Sequence, residues 1–309
     1  KNASGSFSNL GSASSISSID TNKTITISNS IFESFGQFSE TNTMSFTAII
    51  TDTSGNATTG TTSSSTLLID ETVPTVTTFT MSDTELKSGD TSTVNIIFSE
   101  SVINFASGDI TSPNGAISSL SSSDGGTTWT ATYTPDSSVT DTTNVLTIGT
   151  SYTDNAGNAP SSTYTTLNFT IDTTSPSSFT VGSVTSTGGT VKSGYYNSTN
   201  TGIRVTVPIA NDSTLNGGSV QIQSKKSSGT FTNLGSASTI SNINTNKNIS
   251  IDSSTFEGLS GEFGEDETMS FRAIITDTAG NTTTGSESST TLHIDQTAPI
   301  VSTFTMSDT

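Results

Sequence analysis

A chain of 309 residues exceeds the usual single domain of about 100 to 200 residues, so two or three units are expected. Its 27 acidic and 9 basic residues leave a net charge of −18, which repels nucleic acid and anionic membrane surfaces and favours divalent cations. With no Cys, disulfides and thiolate metal sites are excluded, and no run of about 18 apolar residues is present to span a membrane.

Apolar residues make up 29% and charged residues 12%, and Ser and Thr supply roughly two residues in five. Disorder is rejected because the apolar residues fall in short alternating runs, such as Thr93-Val94-Asn95-Ile96-Ile97-Phe98 and Met269-Ser270-Phe271-Arg272-Ala273-Ile274-Ile275. Thr is β-branched and suits the exposed side of a pleated sheet, so these runs predict thin, two-layer, all-β units with almost no helix. Lys1-Asn2-Ala3-Ser4-Gly5-Ser6 is not a signal peptide, so any export signal or anchor is expected outside this segment.

Phe7-Ser8-Asn9-Leu10-Gly11-Ser12-Ala13-Ser14 returns as Phe231-Thr232-Asn233-Leu234-Gly235-Ser236-Ala237-Ser238, and Met44-Ser45-Phe46 returns as Met269-Ser270-Phe271. The offset is 224 residues before an insertion between Phe32 and Phe38, and 225 after it. Residues 1–72 therefore read as the C-terminal portion of an earlier A-type unit that lacks its first strands. Residues 73–175 form a B-type unit, with strands near 76–82, 91–99, 102–105, 115–120, 127–134, 143–149 and 163–171. Asp124-Gly125-Gly126 makes a hairpin turn within it.

Residues 176–297 form a complete A-type unit, with strands near 178–184, 203–209, 219–225, 230–234, 248–252, 267–276 and 288–295 and a turn at Asn216-Gly217-Gly218. Residues 298–309 repeat Val73 to Thr84 and are expected to be the first strand of a following B unit. The divisions carry Ile69-Asp70-Glu71-Thr72-Val73-Pro74, Ile171-Asp172-Thr173-Thr174-Ser175-Pro176 and Ile294-Asp295-Gln296-Thr297-Ala298-Pro299. In each a Pro follows the Asp by four residues, ending ladder bonding and stiffening a short linker. Seven short strands per 100 to 120 residues is the count of an immunoglobulin-like sandwich, so the expected fold is a rod-like tandem array of antiparallel β-sandwiches.

The phrase Asp-x-(Ala or Ser)-Gly-Asn at Asp52, Asp154 and Asp277, followed by Ile-Asp-x-Thr-x-Pro, resembles the bacterial Ig-like repeats of large surface adhesins and biofilm proteins. Phe98-Ser99-Glu100-Ser101-Val102 and Thr130-Ala131-Thr132-Tyr133-Thr134-Pro135 stand where that family has similar phrases. The resemblance covers essentially the whole chain. It implies an exported stalk, often with Ca²⁺ at domain junctions.

Catalysis finds few candidates. His293 is the single His and takes the strand position that Leu68 fills in the other copy, while Trp129 alternates with Ala131 and Tyr133 as a core residue would. The carboxylates make better sense as ion ligands. In such a sandwich the incoming linker and the loops after the second and sixth strands share one pole, which groups Asp70, Glu100 and Asp154 at one junction and Asp172, Asp212 and Asp277 at the next. Asp52 and Asp295 hold the matching positions at the two ends of the chain. Three carboxylates would repel one another unless a hard cation joined them, and Ca²⁺ accepts six to eight oxygens. Each Asp is also read as a turn former that accepts backbone N–H bonds.

Sequons at Asn22, Asn56, Asn168, Asn197, Asn248 and Asn281 mark further surface candidates. The function expected is a secreted or cell-surface stalk of a giant adhesin, stiffened by Ca²⁺, contacting neighbouring repeats of its own chain and reaching an unidentified receptor through a domain outside the segment. The alternatives are a self-assembling surface layer or filament, where copies contact one another, and accessory domains of a secreted polysaccharide-degrading enzyme. Nucleic-acid partners and membrane insertion are not expected.

Overall fold

The computed structural model describes all residues except 260, 262, 308 and 309. Two hydrophobic cores form: one draws on residues between Leu86 and Ile171, the other on residues between Val181 and Ile294. Short strands alternate inward and outward side chains, as in the buried-exposed rhythm of Ser92–Phe98 and of Thr268–Thr276. Each fully buried Val, Ile or Phe contributes about 1.5–3 kcal/mol, and these rows are what hold two sheets together.

In the first core a four-stranded sheet runs Gly115–Ser122, Thr128–Pro135, Ser92–Phe98, Val76–Met81. Its buried side meets the strands Thr140–Asn144, Phe169–Asp172 and Glu85–Lys87, and Ile110–Thr111, Thr147–Ile148 and Tyr164–Thr165 close one end. Asp124 secures the predicted hairpin, its carboxylate accepting from Thr127 N and Thr128 N, while Gly125 and Gly126 take φ of +80° and +120°. Trp129 packs edge-on to Phe105 and donates its indole N–H to the carbonyl of Gly126.

The second core lies between Val184–Thr187, Gly202–Ile209 and Thr245–Asp252 on one side and the sheet containing Leu292–Ile294, Thr268–Thr276 and Ser219–Lys226 on the other. The strand expected near 178–184 begins at Val184, preceded by a single bridge of Thr180 to Ser286. Among the described residues helix is confined to single turns at Asn29–Glu33 and Ser253–Glu257 and two one-turn 3₁₀ segments, and none is long and apolar enough to cross a membrane.

The sheets are mainly antiparallel, but two short strand pairings and the Thr180–Ser286 bridge depart from the expected wholly antiparallel pattern. Glu85–Lys87 pairs parallel with Phe169–Asp172, and Tyr195–Tyr196 pairs parallel with Leu292–Ile294. Near its start each unit lends a short piece to the opposite sheet, where the free edge belongs to the unit's last strand, which runs in the same direction.

Residues 1–72 keep only short pairings: Thr43–Met44 with Leu67–Leu68 and Ile49–Thr51 with Ala57–Thr59. Residues 298–307 form no strand, in contrast to the expectation, and Asp308 and Thr309 lie outside the described residues. Their counterpart Val76–Met81 is a strand because it pairs with Ser92–Phe98, and that partner has no second copy in these 309 residues.

Candidate metal centre

Asp154 ends the short strand Thr153–Asp154 and opens a tight loop. Its Oδ1 accepts from the N–H groups of Ala156, Gly157 and Asn158 at 2.7–2.9 Å, and Asn158 Nδ2 donates to Oδ2 at 2.8 Å. Gly157 takes φ +102°, which a residue with a side chain rarely adopts. Only 1% of Asp154 is exposed. Burial is the largest single influence on this carboxyl and favours protonation, yet the Asn158, Gly157 and Ala156 bonds together hold it below the usual range.

Asp70 arrives from the preceding linker and Glu100 from the loop after Ser92–Phe98. One carboxylate oxygen from each of Asp70, Glu100 and Asp154 lies within 4.8 Å of the others, the one such group among the described residues. Burial, and then the charges of Asp154, Asp70 and Glu40, push the Glu100 carboxyl above its ordinary range. All the ligands offered are hard oxygens in a partly open depression that Glu40 and Thr72 also line, which suits Ca²⁺ better than a softer metal.

Asp172, Asp212 and Asp277 do not assemble in this way, which corrects the expectation of a second carboxylate trio. The Asp172 carboxylate accepts from Thr140 Oγ1 and Thr174 N, and its ladder partners are Thr140 and Lys87. Asp212 caps the one-turn segment Ser213–Leu215, accepting from Thr214 N at 3.0 Å and Thr214 Oγ1 at 2.8 Å. That turn meets the Asp277 loop through a backbone bond, Thr278 N to Thr214 O, and Asp277 itself is satisfied by Gly280 N, Asn281 N and Asn281 Nδ2. Asp52 closes the same loop with Ser54 N, Asn56 N and Asn56 Nδ2, and Asp295 lies beside Lys192, Tyr195 and Asn197.

Sequence reasoning missed the loop asparagines. Asn158 Nδ2 also donates to the linker carbonyls of Asp70 at 3.0 Å and Thr72 at 3.3 Å. Asn281 Nδ2 donates to Asp172 O at 2.8 Å, and its Oδ1 accepts from Ser88 N in the neighbouring unit at 2.9 Å. These two junctions are thus each tied by an amide. The recurrence of Asn at the last position of all three loops was the available signal, and that of Glu40 was its repeat counterpart Glu265: both accept from the backbone just beyond the linker Asp.

The remaining candidates are structural in their contacts. His293 approaches Thr268 Oγ1 at 3.5 Å and Asp266 at 3.9 Å and stacks edge-on to Tyr195. Asn281 is 4% exposed, which closes that sequon to modification in the folded chain.

A fold of short-stranded, two-layer units joined through polar linkers defines a tandem β-sandwich protein. Residues 70–171 match the family model described as bacterial Ig-like domain. Among solved structures, the crystal structure of domains A168–A170 from titin aligns at 11% identity and TM-score 0.36, over 78% of this chain and 72% of that one. A Bacteroides ovatus mixed-linkage glucan utilization locus protein, SGBP-B in complex with a mixed-linkage heptasaccharide, aligns at 12% identity and TM-score 0.19, over 83% of this chain and 54% of that one. Neither score bears on function. No curated protein matches the chain.

Proposed function

We propose that this chain is a non-catalytic, extracellular segment of a bacterial surface stalk of the giant-adhesin kind, its units following one another as repeats 73–175 and 176–297, with Ca²⁺ stiffening the first joint. The observation that carries the reading is the convergence of Asp70 from the linker with Glu100 and Asp154 from two loops of the next unit. A cation shared by those three would bind the linker to the unit it enters, whereas like charges left unbridged push them apart. At the second joint Asn281 supplies the tie, between the Asp172 carbonyl and Ser88 N.

Limited proteolysis and small-angle scattering with Ca²⁺ and with a chelator test this. Chelation is expected to expose the bonds at 70–74 and broaden the distribution of dimensions, while 172–176 stays protected. Equal cleavage at 70–74 in both conditions, with no heat of Ca²⁺ binding by calorimetry, would overturn it.

A further inference from the structure

The larger sheet of the second core has an outer side as well as a buried one. Along Thr268–Thr276, Met269, Phe271, Ala273 and Ile275 turn inward, so Thr268, Ser270, Arg272 and Ile274 turn out. Register places Gln223 beside Arg272 on this outer side, and His293 and Tyr195 in the row of Thr268.

Two opposite charges stand on it. Arg272 is held in one pose: its guanidinium lies 4.1 Å from the Phe231 ring centre, and its Nε donates to Gln223 Oε1 at 2.8 Å. Gln223 Nε2 is in turn fixed on Asn233 Oδ1 at 2.9 Å, and Lys225, 4.6 Å from the same ring centre, pairs with Glu287. Among the described residues Arg272 bonds through Nε alone and no carboxylate reaches it, so the fork of its two terminal nitrogens is oriented and open. Asp266 stands on the same side, just before the strand begins, 3.9 Å from His293 and with its side chain 89% exposed.

The internal repeat carries neither charge. Thr41 and Thr47 fill these two positions in the first copy, and Thr41 takes φ +64° where Asp266 takes +63°. Acid and base are thus present together or absent together, as the two ends of one contact would be. Within the chain they form no ion pair with each other.

We propose that this outer side is a contact surface for a second copy of the chain, in which Arg272 of each copy binds Asp266 of the other. A twofold axis lying between the two residues makes both pairs at once, since an isologous contact that joins i to j also joins j to i. Phe231 and Ile274, both half-buried, and Tyr195, 39% exposed, share the side and supply apolar area. The net charge of −18 on each chain opposes association, so the contact is weak and depends on the two pairs. It involves no ion and stands apart from the stalk reading.

Sedimentation equilibrium of the whole chain, in chelator at about 0.15 M salt, tests this without the ion of the first joint. The wild-type chain is expected to self-associate, and Arg272→Asp and Asp266→Arg each to associate at least about tenfold more weakly. An equimolar mixture of the two variants is expected to restore wild-type association, because each then meets its complement at both pairs. Mixing cannot repair a fold, so restoration separates a contact between copies from a role within one. Arg272→Thr, which copies Thr47, is expected to weaken association without reversing a charge. A wild-type chain that stays monomeric up to about 1 mM overturns the proposal. So do single variants that associate as the wild type does, and a mixture that associates no better than its components.

Discussion

Residues 7–72 and 231–297 are two copies of one sequence in two surroundings, and the difference separates what local bonds fix from what a partner sheet fixes. Both copies keep the loop-closing bond from the backbone N–H beyond the linker Asp to a Glu, at Glu71 to Glu40 and Gln296 to Glu265. Both keep an edge-on aromatic pair, Phe32 with Phe38 at 5.2 Å and Phe256 with Phe263 at 5.3 Å. What differs is burial: Leu292 is fully buried while Leu67 is 47% exposed, and residues 21–28 form no strand although their counterparts are the strand Thr245–Asp252. Thr245–Asp252 is a strand because Gly202–Ile209 lies beside it. Alternation in sequence is thus permission to be a strand, and the neighbour decides whether it is used.

The comparison breaks most visibly at Phe271, which sits in the second core, against Phe46, its half-buried twin. Phe271→Ala is expected to cost about 3–5 kcal/mol in denaturant unfolding followed at the second core, and Phe46→Ala less than about 1 kcal/mol. Similar losses at the two positions would mean that residues 7–72 are packed as tightly as their copy.

The next contrast is Asn281 against Asn56. Asn281→Ala leaves the Asp172 carbonyl and Ser88 N without their partner and is expected to cost about 1–3 kcal/mol, with faster exchange at Ser88. In Asn56→Ala the lost side-chain bond is to Asp52 in its own exposed loop, so the expected change is under about 1 kcal/mol.

The two charged loops of the first junction respond to pH with opposite signs. Glu100 has its folded carboxyl raised by burial and by its neighbours, so ionising it weakens the ion-free joint as pH rises through that raised value, and protonation below it restores the joint. Asp154 is held low, so its contribution is present above the ordinary aspartate range and disappears only as pH falls through the depressed value. Carboxyl carbon shifts followed against pH should show this order, and Ca²⁺ should draw the Glu100 titration downward. A Glu100 curve indifferent to Ca²⁺ would count against the metal centre. The smallest effect is expected at His293→Leu, which copies Leu68 and should change unfolding free energy by no more than about 0.5 kcal/mol.

Much of the fold was legible because period-two patterning and turn glycines are local signals: Ser92–Phe98, Thr128–Pro135 and Thr268–Thr276 lie within a residue of their predicted bounds. The parallel pieces Glu85–Lys87 and Tyr195–Tyr196 were not, since two or three residues carry no period and their place depends on a strand about 85 to 100 residues away. At the site, common topology brought Asp70, Glu100 and Asp154 to one pole, and the same rule set the Asp212 turn against the Asp277 loop, but there the Asp212 carboxylate caps its own turn and no tight trio forms. The asparagine ties escaped notice because an amide at the end of a tight loop reads as turn chemistry until the linker carbonyl is seen in front of it.

The short parallel pairings have a mechanical consequence. Glu85–Lys87 follows the first strand built into the first core and Phe169–Asp172 is the last, and the two run side by side in one direction. Pulling the ends of the unit apart therefore slides one strand lengthwise along the other, so the rungs from Thr170 opposite Glu85 to Asp172 opposite Lys87 are strained together. A hairpin pulled from its open end parts one rung at a time. Tyr195–Tyr196 beside Leu292–Ile294 repeats the arrangement in the next unit, so tension drawn along the chain meets a shear-loaded clasp in each.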